Sequence, residues 1–178
     1  MKSLFKFIGL ALFLAVIVLL VGGLLVSNDY QYEQSITINQ PKEIVWLNVS
    51  TFKAMDRWSP WMQMDSQMIS TLTGIDGTVG AKQSWEGNKD MGSGSQEITN
   101  IDPPNRLDTK LMFHEPFERE TNTYIKLLPI GTTTMVTWGF EAEIPYPFNF
   151  IMLFMNNEDA MGKAFGEGLA SLKAICES

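Results

Sequence analysis

Few residues in this 178-residue chain could do conventional chemistry. His114 is the single histidine and Cys176 the single cysteine. An imidazole exchanges protons near neutral pH, but catalysis through one histidine needs a nucleophile, a carboxylate or a second imidazole within reach. His114 stands in "FHEPF", after a strand-like run and at a turn, with no such partner signalled; it is a weak catalytic candidate. One cysteine and one histidine exclude an internal disulfide, a Cys-based zinc site and a multi-His metal site. Glu86 and Glu97 could act as buried acids, yet strand alternation puts both opposite the apolar sides. The Gly/Ser-rich "GNKDMGSGS" joins two strand-like segments and opens no helix, so it reads as a turn and not a phosphate cradle. No cofactor or metal is expected.

Aromatic side chains are the other candidates. In "RWSPWMQMD", Trp58 and Trp61 flank a Ser-Pro pair that interrupts any helix, so both rings lie on a connection. They either plug a core or line a pocket, and space-filling is the commoner use of a buried ring. Within the strand-like segments, "AKQSWEG" puts Gln83 and Trp85 on one side, opposite Lys82, Ser84 and Glu86. "RLDTKLMF" puts Leu107, Thr109, Leu111 and Phe113 together, and "TMVTWGFEAE" does the same for Val136, Trp138, Phe140 and Ala142. With Gln96 and Met155, these give the candidate ligand-binding set: Trp58, Trp61, Gln83, Trp85, Gln96, Thr109, Leu111, Phe113, Trp138, Phe140 and Met155. Such a lining is mostly apolar with a few neutral polar groups, which suits an oily small molecule.

The elements that must position these residues follow from the rest of the chain. Residues 7–26, "FIGLALFLAVIVLLVGGLLV", contain no charge, and as a helix their rise of about 30 Å matches a bilayer's hydrocarbon core. The run is longer than a secretory signal's apolar region and ends without a good cleavage site, so an uncleaved anchor over residues 1–28 is expected. Lys2 and Lys6 precede it, which predicts a cytoplasmic N-terminus and an extracytoplasmic domain over residues 29–178. Those two lysines belong to the 13 basic residues, leaving 11 against 20 acidic ones, a net charge of -9. An acidic domain without a basic cluster disfavours nucleic acid as a partner.

"YQYEQSITI" alternates as a strand, and "NQPKEIVWLNVS" reads as a short helix with Asn39 as its cap and Pro41 in its first turn. Six further short segments, rich in Thr and aromatics, are separated by "GIDGTVG", "GNKDMGSGS", "DPPN", "HEPF" and "LPIGT". They make an antiparallel meander. From Phe148 onward, Ile151, Met155, Gly162, Phe165, Leu169, Leu172 and Cys176 recur by threes and fours, predicting one long amphipathic helix. The class is α+β, with the helix covering the sheet's apolar face.

This order, with "RWSPW", "GAKQSWEGN", "GSGSQEI", "TMVTWGF" and "GKAFGEGLASLK", resembles the START-like (SRPBCC) superfamily. More narrowly it resembles the bacterial polyketide cyclase/dehydrase and lipid transport group, over about residues 30–176. The resemblance implies a helix-grip fold: a curved seven-stranded antiparallel sheet around a long C-terminal helix, with a cavity between them. It implies a binding domain for a hydrophobic or lipid-like molecule. An envelope protein-interaction domain without a ligand is the second reading, and a cyclase or dehydratase enzyme using His114 or a carboxylate is the third. None of the cyclase enzymes' catalytic signatures is present.

Overall fold

The computed structural model describes residues 2–65, 67–115, 118–153 and 161–178. Seven strands form one antiparallel sheet: β1 (Asp29–Ile38), β2 (Ile69–Thr73), β3 (Lys82–Glu86), β4 (Ser93–Asp102), β5 (Arg106–Glu115), β6 (Arg119–Ile130) and β7 (Thr133–Glu143). Their spatial order is β1-β7-β6-β5-β4-β3-β2, so a meander of six runs back to the first strand. Each expected segment forms its strand because the turn residues fall between them; Gly74, Gly77 and Gly80 in the β2–β3 connection all adopt positive φ.

The helices are α1 (Lys2–Leu24), α2 (Lys42–Val49), α3 (Phe52–Met55), α4 (Trp61–Met64) and α5 (Met161–Cys176). Asn39 is not the cap of α2: Pro41 takes that position, and the Asn39 N–H instead donates to Glu177 Oε1 at 2.7 Å. α3 begins at Thr51, whose Oγ1 accepts from the Ala54 N–H, and the Asp76 carboxylate accepts from the Phe52 and Lys53 N–H groups.

The periodicity predicts an α-helix from Phe148 onward, and the structure has a 3₁₀ turn there. Residues Phe148–Leu153 form a 3₁₀ helix, and α5 is described over Met161–Cys176. A spacing of three suits a 3₁₀ turn as well as an α-helix, which is why the pattern ran on through Phe148. Met155 lies outside the described residues.

Two compact units divide the chain: residues 1–30 with 142–156, and residues 31–141 with 157–178. In the first unit, α1 is apolar on every side, and the residues Lys6–Leu24 have a mean hydropathy of 2.9. That helix is long and apolar enough to cross a membrane.

In the second unit, register fixes one face of the sheet. Gln83 lies opposite Gln96, which lies opposite Leu111; Trp85 lies opposite Gly94, which lies opposite Phe113. Thr109 faces Thr123, which faces Phe140, while Ile125 faces Trp138. α5 packs on this face, with buried Ala164, Phe165, Gly168, Leu169 and Leu172 turned inward.

Candidate functional site

The β7 end of this face is closed by aromatic rings. Trp138 stacks on Phe165 of α5, with centroids 4.3 Å apart, and meets Trp58 and Trp61 edge-on at 5.0 and 5.2 Å. Phe165 in turn receives the edge of Tyr32 at 5.5 Å. Edge-to-face and offset stacks of this kind suit the ring quadrupoles and add to the burial of area. Helix and sheet approach closely because residue 168 is glycine: a Cβ there would lie 2.8 Å from Trp138 Cζ3 and 3.1 Å from Pro60 Cδ. Pro60 thus does two things, breaking the helix between the two tryptophans and wedging against α5.

The two rings of the Ser-Pro connection part company here. Trp58 is 1% exposed and donates its indole N–H to the Asn48 carbonyl at 2.8 Å, so it is a packing ring with no surface for a ligand. Trp61 is half-buried and caps the cluster from the side. Trp138, Phe140 and Thr109 are buried, whereas Gln83, Trp85, Gln96, Leu111 and Phe113 are half-buried. The accessible part of the face is therefore its β3–β5 half, away from the aromatic plug.

Two neutral polar groups sit in that half. The Gln96 amide donates to Thr109 Oγ1 at 2.7 Å and reaches Thr123 Oγ1 at 3.4 Å, and the two threonine hydroxyls bond to each other. The Gln83 amide donates to Asp56 Oδ2 at 2.8 Å and to Ser70 Oγ at 3.0 Å. Two residues along β3 from Gln83 lies Trp85, edge-on to Phe113 at 5.9 Å, with a buried indole N–H that has no partner among the described residues. An unpaired buried donor costs about 1–3 kcal/mol, so this half of the face holds polarity that the fold leaves unsatisfied.

Asp56 is the acid of this set. Burial pushes its carboxyl above the ordinary carboxylate value, the Gln83 hydrogen bond opposes that, and the nearby Asp76 charge adds to it. The folded state thus holds this proton more tightly than the unfolded chain does. Its contribution to stability is complete below the ordinary Asp pKa and is lost as pH rises through the raised one. Asp56→Asn, which keeps an oxygen for Gln83, is expected to raise the melting temperature relative to the parent at neutral pH. The difference should shrink toward zero as pH falls below the ordinary Asp range in paired thermal melts.

His114 is exposed near the end of β5 and, by alternation, lies on the opposite face from Leu111 and Phe113. It is not brought to the candidate site. A shallow, open depression at the β3–β4 turn is lined by Gly87, Asn88, Lys89, Gly92 and Glu115, and it too lies apart from the residues above.

The match to known proteins agrees with this architecture. The family model described as polyketide cyclase/dehydrase and lipid transport covers residues 30–177, which hold α5 and all of the sheet but its first residue. The chain belongs to the polyketide cyclase/dehydrase and lipid transport family. Solved structures share its fold at low identity. A protein of Nitrosospira multiformis is 19% identical with a TM-score of 0.60, covering 84% of this chain and 97% of its own. Ara h 8.0201 is 12% identical with a TM-score of 0.57, over 83% and 97%. The Aha1 protein of Colwellia psychrerythraea, solved as a dimer, is 14% identical with a TM-score of 0.58, over 83% and 96%. No curated protein matches the chain in sequence. The helix-grip fold is thus shared by chains only 12–19% identical to this one.

Three members of the site were not singled out from the sequence: Asp56, Ser70 and Thr123. Thr123 could have been found, since its alternation with Thr121 and Ile125 puts it beside Thr109. Asp56 carries no local signal, because a short helix brings it to Gln83 from 27 positions away.

Proposed function

We propose that this family member is a membrane-anchored binding domain for a hydrophobic, lipid-like small molecule. The ligand lies against the β3–β5 half of the sheet, beneath α5. The observation that carries this reading is the half-buried group of Trp85, Leu111 and Phe113 interleaved with Gln83 and Gln96. Apolar surface would hold a chain or ring system, and neutral amides would orient a head group. Among the described residues Asp56 is tied to Gln83, and His114 is on the other face. The helix over Lys6–Leu24 anchors the chain, and Lys2 and Lys6 favour a cytoplasmic N-terminus with the domain on the far side.

A diazirine-bearing fatty alcohol, photolysed with the full chain in phosphatidylcholine nanodiscs, tests this. Crosslinks are expected on peptides holding Trp85, Leu111 and Phe113 in addition to α1, and Phe113→Asp should reduce them at least about tenfold, equivalent to ~1.4 kcal/mol. Crosslinks confined to α1 would discard the binding reading.

An interaction domain is the second reading, and one observation favours it. The edge strand β2 is exposed along its length, and Ile69, Ile75 and Val79 in and after it are 64%, 76% and 59% exposed. An open apolar edge can accept a partner's strand.

A further inference from the structure

The first unit contains a contact that the anchor alone does not require. At the last turn of α1, Gly22 and Gly23 leave backbone bare, and the 3₁₀ segment lays its rings there. A Cβ on Gly22 would lie 2.6 Å from Phe150 Cε2, and one on Gly23 would lie 3.1 Å from the Tyr146 ring. Asn149 is 1% exposed, and its amide donates to Gly23 O at 2.8 Å, Val26 O at 2.9 Å and Asn28 Oδ1 at 2.9 Å. It caps carbonyls that the helix end leaves open. The segment is therefore held at the very level where the apolar helix stops.

While Asn149 and Phe150 turn toward the helix, other side chains of the segment turn outward. Phe148 is 69% exposed, Leu153 59% and Tyr146 43%, and Leu24 and Leu25 beside them are 74% and 83% exposed. From Ile144 to Leu153 the sequence "IPYPFNFIML" has no charged residue. Uncharged, aromatic-rich side chains fixed at the end of a spanning helix match the headgroup–acyl boundary, where amphipathic rings collect.

We propose that Pro145–Leu153 is a second membrane contact, an interfacial collar whose Tyr146, Phe148 and Leu153 enter the outer boundary of the bilayer that α1 spans. The partner is the lipid surface, because the patch continues the apolar wall of α1 at its exit. This inference rests on α1 being an anchor, as proposed above.

Full-length protein carrying Phe148→Cys, labelled with an NBD maleimide in phosphatidylcholine nanodiscs, tests it. Thr71→Cys on exposed β2 is the control, and Leu153→Cys is a second reporter should Phe148→Cys fold poorly. Cys176 is buried, with burial the main cause of a raised thiol pKa, so it stays unlabelled. Lipid spin-labelled near the top of its acyl chain should quench the Phe148→Cys label at least about threefold more than the control, with aqueous iodide showing the reverse order. Equal iodide quenching at both positions, with α1 still resistant to alkaline extraction, would overturn the collar and leave the anchor intact. Release of the chain by alkaline extraction would overturn the anchor itself, and the collar with it.

Discussion

Trp138→Ala is expected to cost about 3–5 kcal/mol of unfolding free energy, a large part of the roughly 5–15 kcal/mol that holds a domain folded. The ring is 5% exposed and touches Trp58, Trp61 and Phe165 at once, so its loss empties the junction of sheet, α5 and the Ser-Pro connection. Three flat rings cannot collapse into the space, because Trp58 is tied to Asn48 O and Phe165 is fixed on a helix. Urea titration of the full chain in detergent should show a lower midpoint with an unchanged slope. A loss under about 1 kcal/mol would mean that the cluster is not the centre of the core.

Gly94→Val should act at the other end of the same face. Trp85 lies flat over Gly94, and a Cβ there would lie 2.5 Å from both Trp85 Cη2 and the Met112 carbonyl oxygen. The two clashes are separate, so the indole must swing away and the β4–β5 backbone at Met112 must also shift. Overpacking of this sort costs about 1–3 kcal/mol. The larger effect falls on binding: with Trp85 displaced, the apolar surface it forms with Phe113 is lost, and crosslinking of the fatty alcohol should drop at least about tenfold. Tryptophan emission should shift toward that of a solvated indole. Unchanged crosslinking with a displaced Trp85 would place the ligand elsewhere.

Period-two patterning made most of the sheet readable in advance. Parity pairs Gln83 with Trp85 and Leu111 with Phe113, and the register through β4 brings the two pairs to one face. In the β6 segment "ETNTYIKLL", Thr123 shares its side with Ile125, whereas Tyr124 on the opposite side is buried without belonging to that face. Its ring instead covers Gly139, where a Cβ would lie 2.6 Å from the phenol, and its hydroxyl donates to Glu33. The fate of Trp58 and Trp61 was undecidable locally. Their sequence surroundings are nearly symmetrical about Pro60, and only the distant carbonyl of Asn48 and the approach of α5 distinguish plug from rim. The 3₁₀ turn at Phe148 was misjudged for a similar reason, since the partner that selects it, the end of α1, lies more than a hundred positions upstream.

The amide of Asn149 sets an order on how the molecule is assembled. Its acceptors at Gly23 and Val26 emerge from the ribosome 126 and 123 positions before it. Through nearly all of synthesis the carbonyls at the end of α1 lack the Asn149 amide, and water must satisfy them. Fragments ending before β7 therefore retain a hydrated, loosely joined neck, and stiffening of that neck reports that translation has passed the last strand.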